Sequence, residues 1–137
     1  MRSSRKRGKR GTTEQKSGSS VAEFFLELNA QLQAYHWQAS RYSQHKALDK
    51  LRKGIRVKTD IWVEAFMGQY GRLVPTTTSH TISFSPCDQS CVSDYITRKS
   101  LELKKWRSIF QENTDLVNIM DEISASFNQT LYLLTLE

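Results

Sequence analysis

The sequence predicts an all-α bundle of four helices with one long crossover connection and a disordered basic N-terminal tail. Apolar residues recur at steps of three and four in four separate stretches. The breaks between stretches are polar or carry Pro, and one of them, residues 72–88, is far longer than the others. The first 19 residues have no apolar periodicity at all.

Those first residues are rich in Arg, Lys, Gly, Ser and Thr. They cannot bury enough apolar surface to offset the entropy of ordering, so residues 1–19 are expected to be disordered. Residues 20–137 are expected to form the bundle. Ser20-Val-Ala-Glu23 fits a capping box, and Val21, Phe25, Leu28, Leu32 and Tyr35 follow at helical spacing. This first helix should reach about Ser40. After a polar break at 41–44, a second helix runs from about His45 to Tyr70 on the stripe Leu48, Leu51, Ile55, Trp62 and Phe66. Gly71 and Pro75 end it. In the connector, Thr81-Ile-Ser-Phe84 is a candidate extended stretch. A third helix spans about 89–111. A fourth, capped by Asn113 or Thr114, runs through Leu116, Ile123, Phe127 and Leu134.

A chain of 137 residues with 38% hydrophobic residues suffices for one domain and not for two. No apolar run approaches the ~20 residues that span a bilayer, and the basic N-terminus lacks a signal peptide's apolar core. Secretion is therefore not expected, and two cysteines, too few for a disulfide framework, make an intracellular, reducing setting the expectation, with host nucleus or virion as candidate locations. The net charge is +6, and its distribution is informative. Residues 1–20 hold Arg2, Arg5, Lys6, Arg7, Lys9, Arg10 and Lys16 against Glu14, while the remainder balances 13 basic with 13 acidic residues. A neutral body with a cationic arm implies a tether. Without interleaved aromatics, the arm suits phosphate neutralisation on DNA or RNA rather than base reading. An import signal in Arg5-Lys-Arg-Gly-Lys-Arg10, or a solubilising arm, are the alternatives.

Five residues on the first two helices have metal-ligating chemistry: His36, His45, Asp49, Asp60 and Glu64. On a helical wheel started at Leu48, the second helix's apolar stripe centres near ~330°, whereas Asp49, Asp60 and Glu64 fall at ~100°, ~120° and ~160°. They share a face turned away from the core. An ordinary solvated face with i,i+4 pairs Asp49–Lys53 and Arg56–Asp60 would account for much of this. Asp60 and Glu64, however, are themselves i,i+4 and repel each other unless a cation lies between them. Carboxylate with imidazole suits iron, manganese or zinc.

Leu32-Gln-Ala-Tyr35-His36-Trp37, then His45, Asp49 four residues on, then Asp60-Ile-Trp-Val-Glu64, resembles the Dps-type mini-ferritin family of the ferritin-like superfamily. Phe127–Leu134 is similar to that family's last helix. The resemblance implies a ferritin-like four-helix subunit and an iron site built between two copies, where Fe(II) is oxidised by peroxide or oxygen. His36 and His45 would come from one copy, and Asp60 and Glu64 from the other. Asp49 would be a ligand or support, and Trp37 would pack beside the site. It also implies self-association, to a dimer or a larger shell, and a tail that binds DNA without sequence preference. The chain looks as well like short, basic-tailed ferritin-like proteins of large DNA viruses. The His36-to-His45 interval is shorter than the family's, the connector lacks its short helix, and no Glu-x-x-His occurs for a di-iron centre inside one bundle.

Cys87 and Cys91 form a C-x3-C pair beside the connector. Together with His80 they approach a zinc ligand set but lack a fourth ligand, so free thiols are expected. The rival to a ferroxidase is a catalytically inactive bundle serving assembly or nucleic-acid packaging. A third reading is an adaptor bundle that pairs with other helices.

Overall fold

A computed structural model of the chain describes residues 13–136. Helices α1 (Thr13–Gln38), α2 (Tyr42–Tyr70), α3 (Gln89–Ile109) and α4 (Thr114–Leu133) account for its secondary structure. No strand occurs among the described residues, and Thr81–Phe84 is irregular. Helix α1 packs against α2 and α3, and α4 packs against the same two. None of the helices is long and apolar enough to cross a membrane.

The periodic residues enclose the core as the pattern requires. Val21, Leu28 and Leu32 of α1, Leu48, Ile55, Trp62 and Phe66 of α2, Val92 and Ile96 of α3, and Leu116, Ile123 and Phe127 of α4 are fully buried. Aromatic rings fill the middle. The Trp62 ring stacks on Phe66 with centroids 5.5 Å apart, and takes Phe25 and Phe110 edge-on at 5.5 and 5.3 Å. Such pairs add about 0.5–1.5 kcal/mol each beyond their burial. The Trp62 indole N–H has no hydrogen-bond partner among the described residues. A lost partner of this kind costs about 1–3 kcal/mol, which the ring packing offsets.

Helix α1 begins seven residues before the expected Ser20, so residues 13–19, Lys16 among them, are helical rather than part of a disordered tail. Three contacts hold this extra length. Gln15 Nε2 donates to Arg72 O at 2.6 Å, and Ser19 Oγ accepts from Val74 N–H at 2.8 Å. Gly18 lies under the Phe66 ring, where an added Cβ would sit 2.0 Å from Cζ. Ser20 therefore caps nothing, and its hydroxyl reaches back to Lys16 O. The arm residues Arg2, Arg5, Lys6, Arg7, Lys9 and Arg10 lie outside the described residues.

Helix α2 ends where Gly71 adopts φ 93°, a conformation that glycine reaches without a Cβ penalty. At the start of α4, Asn113 is the N-cap as expected, but its side chain makes no capping bond. Its Oδ1 accepts instead from Tyr70 Oη at 3.0 Å, joining the end of α2 to the start of α4.

Residues 71–88 contain no helix or strand. They are fastened to α1 in ascending order: Arg72 to Gln15, Val74 to Ser19, Thr76 and His80 to Glu23, and Ser83 to Gln31. The Gln31 amide bonds Ser83 twice, donating to its carbonyl and accepting from its N–H, both at 2.9 Å. Gln44 Nε2 of α2 then holds Cys87 O at 2.9 Å. The segment thus travels beside α1 in the direction of α1 and delivers α3 next to the first turn of α2.

Gly18→Ala gains helix propensity but drives a methyl into the Phe66 ring. We expect a net loss of about 1–3 kcal/mol of stability, read as a lowered denaturant midpoint. An unchanged or raised midpoint would show that Phe66 yields without cost.

Candidate functional site

The turn between α1 and α2 spans only residues 39–41, so the last turn of α1 faces the first turn of α2. His36 and His45 meet there. Their rings stack with centroids 4.0 Å apart and planes 24° from parallel. Each Nδ1 lies on the other residue's backbone carbonyl: His36 Nδ1 is 3.1 Å from His45 O, and His45 Nδ1 is 3.0 Å from His36 O. A carbonyl only accepts, so each Nδ1 carries its hydrogen and each Nε2 is left for another partner. The short interval therefore brings the imidazoles together rather than apart.

His36 is 7% exposed. Burial pushes its imidazole below the usual histidine range, partly opposed by the His45 carbonyl bond. Its Nε2 is 3.6 Å from Asp49 Oδ1, one turn beyond His45 on α2. Asp49 already holds Lys53 Nζ at 3.0 Å, the expected i,i+4 pair, and Arg52 at 2.8 Å. The Lys53 hydrogen bond leads in holding this carboxyl below its ordinary value.

The structure does not bring Asp60 and Glu64 to this cluster. Both are exposed, as the helical wheel predicts, but Asp60 lies eleven residues beyond Asp49, which is about 16 Å along the helix. Asp60 borders a groove of about 490 Å³ between α1 and α2, lined by Phe25, Leu26, Val63 and Leu73 among others. Leu26, Val57 and Ile61 around it are 71%, 56% and 49% exposed. Trp37, expected to pack beside the metal-capable cluster, is 66% exposed because it ends α1 on the solvent side. Among the described residues, no three or more His, Cys, Asp or Glu side chains form a group that could hold a metal ion.

A second polar cluster escaped the sequence. Glu23 of α1 accepts from the Thr76 hydroxyl and meets His80 Nε2 at 2.9 Å. His80 Nδ1 lies 3.7 Å from Glu27. Glu27 is also 3.5 Å from Lys99 Nζ, which reaches Glu102 at 3.1 Å and lies over the Phe24 and Tyr95 rings. One visible signal was the i,i+4 carboxylate pair Glu23/Glu27, but its partners come from the connector and α3, far away in sequence. The zinc reading of His80 with the cysteines fails on the same geometry. His80 faces α1, and Cys87 and Cys91 are bonded to each other rather than free, their Cα atoms 5.2 Å apart across the start of α3.

Fold and site together define an all-α four-helix bundle with a paired-histidine turn. The family whose model matches the chain is described as "Family of unknown function (DUF5856)" and covers residues 36–134. The chain belongs to that family. The match takes in His36, His45, Asp49, Asp60, Glu64 and both cysteines. No curated protein and no solved structure matches the chain.

The Glu23–His80 contact gives the connector a pH window. The Glu23 hydrogen bond raises His80 above its ordinary 6.5, so its stabilisation is complete below 6.5 and is lost as pH rises through the higher folded value. Glu23 is lowered from 4.5, chiefly by Thr76 and then by His80. Its share is present above 4.5 and lost as pH falls through the lower folded value. Amide exchange across residues 72–86, corrected for intrinsic rates, should be slowest between these limits and faster at pH 8–9. His80→Gln should abolish the change on the alkaline side. A variant that keeps the wild-type profile would sink this assignment.

Proposed function

We propose that this chain is a Dps-like, ferritin-type subunit that self-associates and holds nucleic-acid phosphates through its N-terminal arm. We propose further that Fe(II) is its substrate, bound between two copies. His36, His45 and Asp49 would come from one copy, and Asp60 and Glu64 from the other. One observation carries the reading. Three of the five ligand-type residues converge at one end of α2, while Asp60 lies about 16 Å and Glu64 about 22 Å further along the same helix, Asp60 beside an exposed apolar groove. A single chain cannot unite them, whereas a second copy against the α1/α2 face can. The donor chemistry is compatible. Each Nδ1 is fixed on a carbonyl, which orients the imidazole as metal-ligating histidines are oriented and leaves Nε2 as the donor.

The connector supports the ferritin-type reading of the fold. A long crossover makes α2 and α3 parallel, and the ascending bonds from Gln15 to Gln31 have the order that such a crossover needs. The Trp62-centred aromatic packing occupies the middle of the bundle, so the proposed iron site lies outside the core.

A second reading has its own observation. Asp49 is already neutralised by Arg52 and Lys53, as in an ordinary charged surface. That favours an assembly or packaging module without iron turnover.

Anaerobic Fe(II) titration followed by peroxide or air separates the two. Under the leading reading, binding saturates, and ferric absorbance develops at least ~10-fold more slowly in Asp60→Ala/Glu64→Ala than in the wild type. If both proteins oxidise iron no faster than buffer, the packaging reading stands. For the arm, the six cations of residues 2–10 set a limit. A plot of log affinity for duplex DNA against log salt should have a slope no steeper than about −5, lost when residues 2–10 are removed. A flat slope in the intact chain would exclude phosphate binding by the arm.

A further inference from the structure

The Cys87–Cys91 bond plays no part in the proposed iron or nucleic-acid chemistry, yet its two sulfurs occupy unlike positions. Cys87 is 6% exposed and closes the connector, its carbonyl held by Gln44. Cys91 is exposed, in the first turn of α3. Asp88 between them is the N-cap, and its carboxylate accepts from Cys91 N–H at 2.9 Å. The pair opens onto a pocket of about 310 Å³ whose other walls are Gln38, Ser40, Pro86 and Asp88. Gln38 and Ser40 lie at the α1–α2 turn that His36 and His45 flank. The bond therefore borders a concave surface, and of its two residues Cys87 is buried while Cys91 is exposed.

We infer that Cys87–Cys91 is a thiol–disulfide exchange site for a dithiol reductant, with Cys91 Sγ as the atom attacked. In the first step a thiolate of the dithiol forms a bond to Cys91 Sγ. The Cys87–Cys91 bond breaks, and Cys87 leaves as a thiolate that takes a proton. The second thiolate of the dithiol then attacks its own sulfur in the mixed disulfide and releases Cys91. Two electrons and two protons pass to the protein, and the dithiol becomes a disulfide. The same couple run backwards restores the bond. Attack at Cys91 follows from access rather than from thiolate stabilisation, because the Asp88 carboxylate counters the favourable amides at the start of α3. Reduction leaves the Asp88 cap, the Gln44 bond and the Gln31–Ser83 pair in place. The fold should survive while the end of the connector loosens.

The test uses the full chain under native conditions, reduced with dithiothreitol and pulsed with N-ethylmaleimide, with labelled peptides read by mass spectrometry. Both cysteines should become labelled while the far-ultraviolet helical signal holds, and Cys91 should react at least about tenfold faster than Cys87. Labelling that requires denaturant, or equal rates at the two positions, overturns the inference. Cys87→Ser and Cys91→Ser both lack the bond, so any folding defect common to them cancels in the comparison. With oxidised glutathione, Cys87→Ser should take up glutathione on Cys91, and Cys91→Ser should not on Cys87. Equal uptake by the two variants also overturns it.

Discussion

A chain segment with no secondary structure of its own must still find partners for its amides and carbonyls, and in this bundle it finds them on α1. Gln15, Ser19 and Gln31 each offer a side chain to the backbone of residues 72–83, and Glu23 receives two of that segment's side chains. A net gain of about 0.5–1.5 kcal/mol per bond is modest. The ordering effect is larger, because the bonds fix which way the chain travels between α2 and α3. The direction of α3, the position of its first turn, and the meeting of that turn with the α1–α2 corner all follow. The early turns of α1 take part in this too, since Gln15 and Ser19 there bond Arg72 and Val74.

The four helices were legible because each buries a stripe of large apolar residues whose spacing is visible locally. Leu48, Ile55, Trp62 and Phe66 are an example, and every one of them is fully buried. The early start of α1 was not legible. Gln15, Gly18 and Ser19 are poor advertisements for a buried helix turn, and each is buried for the sake of a residue more than 45 positions away. The Ser20 capping pattern was a false signal for the same reason, since Glu23 serves the connector instead of the helix end. The fourth helix shows a milder version, with Asn113 in the capping position but its side chain given to Tyr70.

The ligand-type residues were partly legible. Spacing alone put Asp49, Asp60 and Glu64 off the core stripe, and Asp60 and Glu64 are exposed. Spacing could not reveal that His36 and His45 would stack, because that depends on how sharply residues 39–41 turn. Nor could it reveal that Asp49 would gather two cations, Arg52 as well as the expected Lys53. The cysteine pair was misjudged from composition. Two cysteines suggest free thiols on average, but four positions across the start of a helix bring them within bonding range.

The tryptophans end up in three distinct surroundings: Trp62 is sealed among rings, Trp106 is half-buried, and Trp37 stands 66% exposed at the corner beside the histidine pair. An indole in a dry aromatic nest emits at shorter wavelength than one in water. The molecule therefore carries its own optical labels, one for the integrity of its interior and one for whatever comes to rest against the α1–α2 corner. Anything that covers that corner announces itself by a blue shift of the Trp37 component, with no dye attached and the interior signal as the built-in reference.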